Sequence, residues 1–341
     1  MKFCLYTNFI SPHQLPLVKC MVGWFGTQSV RYFHTDLLPE STKKQGWVEE
    51  YADWIRRGRY GEGLIDAELE NCEILLCGMR ELGLFRKRAE RGKRTFYMCE
   101  RWFKPIHGLP GRLRMLSPCY RMMARGIVSW LNEDSQARCL TIGPWARKDM
   151  LSIGVSPAKV VPWGYFVEPS RISDARTSAR QNIRVLWVGR FLKLKRIRDI
   201  IRAVDACCTA GKMISLNIYG MGPEEWNLKK LVRRFGRENE IRIHPPVPIA
   251  KVREIMHEHD VYVLSSNAYE GWGTVVNEAL EEGMKVVGTF EAGSSAMLLP
   301  NGNLYHAGDW KHLARILQGN IAEVDIGDWT AAKAAERLLS L

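Results

Sequence analysis

The chain has 341 residues, 46% of them hydrophobic and 25% charged, with a formal net charge of +12 at pH 7. That length exceeds one ordinary core and suits two domains of about 150 residues each, and the composition excludes a disordered or fibrous chain. No stretch approaches the ~18 uninterrupted apolar residues of a membrane span, and MKFCLYTNF passes straight into a strand-like pattern, so a cytoplasmic location without export or membrane insertion is expected.

In the first half, strands are predicted at Lys2–Thr7, Val30–His34, Glu73–Cys77, Thr95–Cys99 and Arg138–Ile142, in an order that resembles half of a doubly wound fold. Between about Val167 and Asn182 the chain turns polar and loses apolar periodicity, as a linker does. The pattern then restarts: strand Arg184–Val188, helix Arg196–Ala210, strand Ser215–Tyr219, helix Glu224–Phe235, strand Ile241–His244, helix Ala250–His257, strand Val261–Ser265, helix Thr274–Glu282 and strand Lys285–Gly288. Such regular alternation points to a Rossmann-like domain. Trp329–Leu341 is a helix candidate with no strand after it, expected to pack back across the domain boundary. The expected fold is therefore α/β, two Rossmann-like domains facing across a cleft, with domains at 1–170 and 171–325 and a crossover helix at 326–341.

Nine scattered cysteines, mostly in apolar runs, suit reduced core thiols better than bridges, and Cys72 and Cys77 have the wrong spacing for a zinc knuckle, so no metal site is expected. The positive charge calls for an anionic partner. One basic cluster holds Arg86, Lys87, Arg88, Arg91, Lys93 and Arg94; a second sets Arg112, Arg114, Arg121 and Arg125 among Leu113, Met115, Leu116, Met122 and Met123. The second reads either as an amphipathic surface for an anionic membrane or as an ordinary solvated face. Basic motifs interleaved with aromatics are missing, so nucleic acid is not expected as a partner.

The strongest chemical signal is Glu270-Gly-Trp-Gly-Thr-Val-Val-Asn-Glu278, after the apolar strand VYVLSS and opening a helix. Glu270 falls beyond a strand's carboxyl end, where open α/β sheets bind ligands, and Glu278 about one turn into the helix. Between them the N–H groups of Gly273, Thr274 and Val275 suit a phosphate, and ionised carboxylates on either side suit sugar hydroxyls. Two capped-helix surface glutamates are the plainer alternative. The second signal is Gly189-Arg190 at a strand end, followed by Lys195: the glycine lets a diphosphate approach the backbone and the cations neutralise it.

These segments, VGRFLKLK, IYGMGPE and EGWGTVVNEALEEGMKVVGTFEAGS, resemble the donor domain of retaining family 4 glycosyltransferases of the GT-B fold, over roughly Arg184 to Leu317. The resemblance implies that Arg190 and Lys195 bind the donor pyrophosphate, Glu270 contacts the donor sugar and Glu278 the ribose. It also implies that backbone near Pro246–Pro248 holds the base above Gly220 and Gly222. Relatives usually carry glycine where this chain has Arg196, which either adds a phosphate contact or alters the helix start. They also carry a glycine-rich loop after the first strand; here that segment is Asn8-Phe9-Ile10-Ser11-Pro12-His13-Gln14, leaving His13 as a candidate for acceptor or donor phosphate. After Thr95–Cys99, Glu100 replaces the family's histidine and is a candidate to bind or help deprotonate the acceptor hydroxyl. Arg101 would pair with it or with an acceptor phosphate, His107 is a lesser candidate, and Trp145 is read as packing.

The implied reaction moves a sugar from a nucleoside diphosphate to an acceptor hydroxyl with retention, by front-face displacement and without a metal or other cofactor. The implied acceptor is a saccharide or lipid-linked saccharide in bacterial surface-polysaccharide assembly at the inner face of the membrane. The alternatives are a sugar-nucleotide epimerase, a phosphorylase, and a non-catalytic module that binds sugar nucleotides or membrane surfaces.

Overall fold

The computed structural model describes residues 2–39, 50–104, 109–170 and 182–341. The chain divides into two compact units, Met1–Val167 with Asp328–Leu341, and Glu168–Gly327.

The first unit is built on a seven-stranded sheet: β1 (Phe3–Thr7), β2 (Val30–His34), β3 (Ile55–Arg57), β4 (Ile74–Cys77), β5 (Arg94–Cys99), β6 (Ala137–Ile142) and β7 (Val160–Trp163). The order is β3-β2-β1-β4-β5-β6-β7, and every pair is parallel. β1 and β4 are buried at every residue, the near-continuous apolar reading of strands covered on both faces. β3 and β7 are additional to the five predicted strands, and both are sheet edges. Pro162 lies within β7, where an edge tolerates a missing N–H donor, and exposed Arg56 and Arg57 blunt β3. Helix Ala331–Ser340, its first turn capped by the Thr330 hydroxyl, packs on helix Leu15–Phe25.

Four of the six cations in the basic cluster at residues 86–94 are engaged within the first unit. Arg88 is fully buried, and its guanidinium donates to the carbonyls of Leu69 (2.6 Å), Cys72 (3.0 Å) and Arg94 (2.7 Å) and to the Thr95 hydroxyl (2.9 Å). Lys87 and Arg91 pair with Glu70 at 2.8 and 2.9 Å, and Arg94 donates to the Leu339 carbonyl at 2.9 Å. Guanidinium supplies five fixed donors, so a buried arginine can close several loop carbonyls at once.

The second unit holds a six-stranded sheet: β8 (Ile183–Val188), β9 (Ile214–Tyr219), β10 (Ile241–His244), β11 (Val261–Leu264), β12 (Lys285–Thr289) and β13 (Leu304–Tyr305). The order is β10-β9-β8-β11-β12-β13, again parallel throughout. Its core runs from Val185, Trp187 and Ile200 through Leu216 and Val263 to Leu313 and Leu317. Helices Gly293–Leu298 and Trp310–Gln318 and strand β13 extend the predicted alternation. Among the described residues, no helix is long and apolar enough to cross a membrane.

Candidate functional site

In the second unit the chain winds from β8 out to β10 in one direction and from β11 out to β13 in the other, so β8 and β11 are neighbours where the order reverses. Loops diverge from the carboxyl ends of two such strands and leave a crevice between them. The β8 loop carries Gly189, Arg190 and Lys195; the β11 loop carries Glu270.

The two loops are joined. The Asn267 N–H donates to the Leu194 carbonyl at 2.9 Å, and the Ser265 hydroxyl donates to the Lys195 carbonyl. Lys195 Nζ and Glu270 Oε2 form a hydrogen-bonded ion pair with side chains 19% and 15% exposed, and the Ser266 hydroxyl donates to the same carboxylate oxygen at 2.8 Å. Residues 75 positions apart thus share one charged, half-desolvated centre. Arg190 is exposed, with no ion pair among the described residues.

The turn and helix after Glu270 hold it in place. Trp272 is buried and its indole N–H donates to the buried Asn277 at 2.8 Å. The Ser294 hydroxyl lies 2.8 Å from the Trp272 carbonyl and 2.9 Å from that of Gly273. Gly273 has φ +89°, and a Cβ there would come within 2.8 Å of Leu264, so only glycine makes this turn without strain. Helix Val275–Glu281 comes next, with Thr274 at its cap position. The N–H groups of Gly273, Thr274 and Val275 have no hydrogen-bond partner among the described residues. Glu278 is the helix's fourth residue; burial holds its carboxyl above the ordinary range, against the opposing field of Arg253 and with that of Glu282.

Gly220 and Gly222 have a definite steric role. Both have φ near +150°, and a side chain at Gly220 would run into the Gly189 carbonyl, one at Gly222 into that of Phe191 at 2.8 Å. The β8 loop is stitched to the β9 loop by Phe191 N–H to the Met221 carbonyl at 2.8 Å. These glycines seat the strand that presents Arg190. Arg196 takes the left-handed conformation, φ +49°, at the start of helix Ile197–Thr209, and its guanidinium bonds the buried Asp199 at 2.6 Å. Of the two readings of this position, the described contact is to the helix's own first turn, which offsets a conformation that costs a β-carbon about 1–2 kcal/mol.

In the first unit, Glu100 directly follows β5. Its carboxylate accepts from Lys104 Nζ and, at 2.6 Å, from the Tyr165 hydroxyl. Burial pushes the carboxyl up, but the Lys104 charge and hydrogen bond, the Tyr165 hydroxyl and nearby His13 outweigh it and hold it below the usual range. It is thus a hydrogen-bond acceptor at neutral pH rather than a strong base. Arg101 does not supply Glu100's pairing. It reaches Asp149 at 4.0 Å and lies over the Trp145 ring at 5.9 Å, because consecutive residues leaving a strand diverge. His13 stacks obliquely on Tyr165, ring centroids 5.6 Å apart, and desolvation lowers its pKa to about 4, with Glu100 opposing. His107 lies outside the described residues.

Sequence reasoning missed Ser266, Trp272, Asn277 and Ser294, which position Glu270, and Lys104 and Tyr165, which hold Glu100. The four-residue spacing of Glu100 and Lys104 was a usable local signal; Ser294 and Tyr165 had none, because sheet order alone brings them in.

Residues 171–321 match the family model described as glycosyl transferases group 1. Among curated proteins, the phosphatidylinositol N-acetylglucosaminyltransferase GPI3 subunit of Saccharomyces cerevisiae is 24% identical over 149 residues, 44% of this chain and 32% of that one. The putative colanic acid biosynthesis glycosyltransferase WcaL of Salmonella typhimurium is 26% identical over 170 residues, 46% of this chain and 42% of its own. The chain thus spans less than half the length of these relatives. Among solved structures, a lipopolysaccharide outer core galactosyltransferase, WaaB, superposes with a TM-score of 0.67 at 15% identity, over 100% of this chain and 98% of that one. Anabaena Alr3699/HepE in complex with UDP gives 0.60 at 16%, over 100% and 95%. Residues 171–321 are therefore similar to group 1 glycosyltransferases, and the chain's two parallel-sheet α/β units share the GT-B fold of the structures they superpose on.

Proposed function

We propose that this chain is a retaining glycosyltransferase that moves a sugar from a nucleoside diphosphate to a saccharide or lipid-linked saccharide hydroxyl. The observation that carries the reading is the Lys195–Glu270 pair at the β8/β11 crossover, with Arg190 exposed on the same loop as Lys195. A diphosphate leaves as a polyanion, and two cations stabilise it most where water is partly excluded. Lys195 and Arg190 meet the pyrophosphate, Glu270 the donor sugar, and Glu278 the ribose. Gly189, Gly220 and Gly222 let the backbone approach the nucleotide.

In the step, the bond from the anomeric carbon to the β-phosphate oxygen breaks and its electron pair stays with the phosphate. The acceptor oxygen bonds to the same face of the carbon, and its proton passes to the departing phosphate. Glu100 accepts a hydrogen bond from an acceptor hydroxyl and orients it. Arg190 and Lys195 supply the charge a divalent cation would bring, so the reaction needs no metal. HepE was solved with UDP, which makes UDP sugars the first donors to try. The relatives' names concern phosphatidylinositol, colanic acid and lipopolysaccharide, consistent with a lipid-linked acceptor in bacterial surface-polysaccharide assembly and a peripheral position at the cytoplasmic face of the membrane.

The test is a thermal-shift screen of nucleotide sugars on wild type and Glu278→Ala, followed by turnover with and without acceptor. A donor that raises the wild-type melting temperature and not the variant's is expected. Turnover of donor to an isomeric sugar nucleotide without acceptor would replace transfer by epimerisation, and silence to every nucleotide would remove the reading.

A further inference from the structure

We infer that the second unit carries a second ligand site, a cationic cavity beside helix Ile197–Thr209 that takes a phosphorylated sugar and tunes donor binding through the turn that carries Lys195. The cavity measures about 390 Å³, within the range of small-molecule sites. None of Gly189, Arg190, Lys195, Glu270 and Glu278, the groups assigned to the donor, lines it. Its apolar lining is Ile197 and Leu228, both buried, and half-buried Leu192.

Four cations line the same space, Lys193, Arg196, Arg198 and Arg202, against two carboxylates, Asp199 and Glu224. Both carboxylates are already matched. Arg196 holds Asp199 at 2.6 Å, and its guanidinium is seated against Gly308, where a Cβ would come within 2.9 Å of Nη2. Arg198 pairs with Glu224 at 3.1 Å. Glu224 precedes helix Glu225–Phe235 but makes no side-chain cap to it, so its carboxylate is committed to the cavity side. Lys193 and Arg202 are exposed, with no ion pair among the described residues. Arg202 lies one turn beyond Arg198 on the same helix face, a like-charge arrangement that destabilises a helix and that an anion would relieve. The lining therefore holds two positive charges in excess.

A phosphate monoester at neutral pH brings close to two negative charges, and its oxygens match guanidinium donors. The paired carboxylates keep lone pairs for hydroxyl donors, and the leucines and isoleucine suit the C–H face of a sugar ring. Inorganic phosphate would use the cations alone; a phosphorylated sugar uses all three kinds of lining. The cavity also shares a wall with the donor loop. Lys193 opens the 3-10 turn Lys193–Lys195, and Arg196 follows it. The Leu194 and Lys195 carbonyls of that turn accept from Asn267 and Ser265. A ligand holding Lys193 and Arg196 thus orders the turn before the donor arrives. The excess cations neutralise the ester, so ordering outweighs its repulsion of a diphosphate. This coupling rests on the transferase reading; the site itself does not.

The test is calorimetric titration of the full chain with glucose 6-phosphate, inorganic phosphate, glucose and UDP. Glucose 6-phosphate should bind about tenfold more tightly than inorganic phosphate, and glucose should not bind. Lys193→Gln/Arg202→Gln should weaken the ester by about tenfold or more and melt with the wild type, because both side chains are exposed. Glu224→Gln should erase most of the preference for the ester over inorganic phosphate, since it removes a hydroxyl acceptor and no phosphate contact. With the ester saturating, UDP should bind about fivefold more tightly. Failure of the ester to bind, equal affinity for inorganic phosphate, binding that survives the double variant, or displacement of the ester by UDP overturns the site. Unchanged UDP affinity overturns the coupling. UDP that fails to bind while the ester binds refutes the transferase reading, and the coupling with it, and leaves the site standing; UDP binding without ester binding refutes this inference alone.

Discussion

Each unit carries a glutamate beyond the carboxyl end of a parallel strand and a lysine paired with it, yet the two pairs are built differently. Lys195 and Glu270 come from loops 75 residues apart that meet because β8 and β11 are neighbours. The glutamate's loop is locked by Trp272, Asn277 and Ser294. Glu100 and Lys104 are four residues apart, with side chains 38% and 37% exposed, and among the described residues Tyr165 and His13 reach in from afar. A centre assembled by sheet order and clamped by buried side chains is preorganised for one ligand group. A local pair at a half-open loop adjusts at small cost. In the transferase proposed above, the first would meet a donor whose diphosphate does not vary, and the second acceptors that do.

The comparison breaks most sharply at Glu270. Glu270→Gln removes the charge that holds Lys195 and the group assigned to the sugar, so kcat/KM should fall by about 100-fold or more, measured with the donor found by the screen. An unchanged value would dissolve the distinction between the pairs.

Asn277→Ala asks whether the clamp matters. It leaves the Trp272 indole N–H buried without its acceptor, an expected loss of about 1–3 kcal/mol in chemical denaturation. Donor affinity should fall with it, since Glu270 loses its fixed position. Glu278→Gln separates stability from binding. Burial raises this carboxyl's pKa, so the folded state holds the proton more tightly than the unfolded one and loses stability as pH rises through the ordinary carboxyl range. The variant should therefore melt slightly higher at neutral pH while binding donor more weakly, readable by melting curves and calorimetry.

Glu100→Gln tests the looser pair. The acceptor KM should rise about tenfold, the donor KM should not move, and Tyr165→Phe should give a smaller effect in the same direction. The signal of His13 is confined to acid pH. Its pKa is lowered to about 4 by desolvation, below the unfolded value of about 6.5, so the unfolded state takes the proton first. The contribution is intact above about 6.5 and is lost as pH falls toward 4. His13→Asn should flatten that part of a stability–pH profile without changing it above neutrality.

The legible parts of this molecule were those encoded by local spacing. The strands of the second unit lie within a residue or two of their predicted bounds at β8 through β12, because buried strands and amphipathic helices each write a short period into the chain. Strands β3 and β7 were not legible: Ile55-Arg-Arg is too short and charged to show a period, and Pro162 interrupts the other. Of the candidate side chains, Glu270, Lys195 and Glu278 belonged to segments whose order already suggested chemistry. The burial of Arg88 within the basic run at 86–94 was not legible, because a row of cations looks the same whether it faces water or fills the interior.

By itself, then, the chain determined its alternation of strands and helices after residue 182, the glycine turns at Gly189 and Gly273, and two glutamates eight residues apart. These are properties of neighbouring residues, set by periodicity and backbone sterics. Only the tertiary structure decided that Lys195 meets Glu270, that Tyr165 closes on Glu100, and that Arg88 is buried while Arg112, Arg121 and Arg125 face solvent. Those outcomes depend on which strands lie side by side and which surfaces are covered, and contacts across 65 or 75 residues leave no mark in any local pattern.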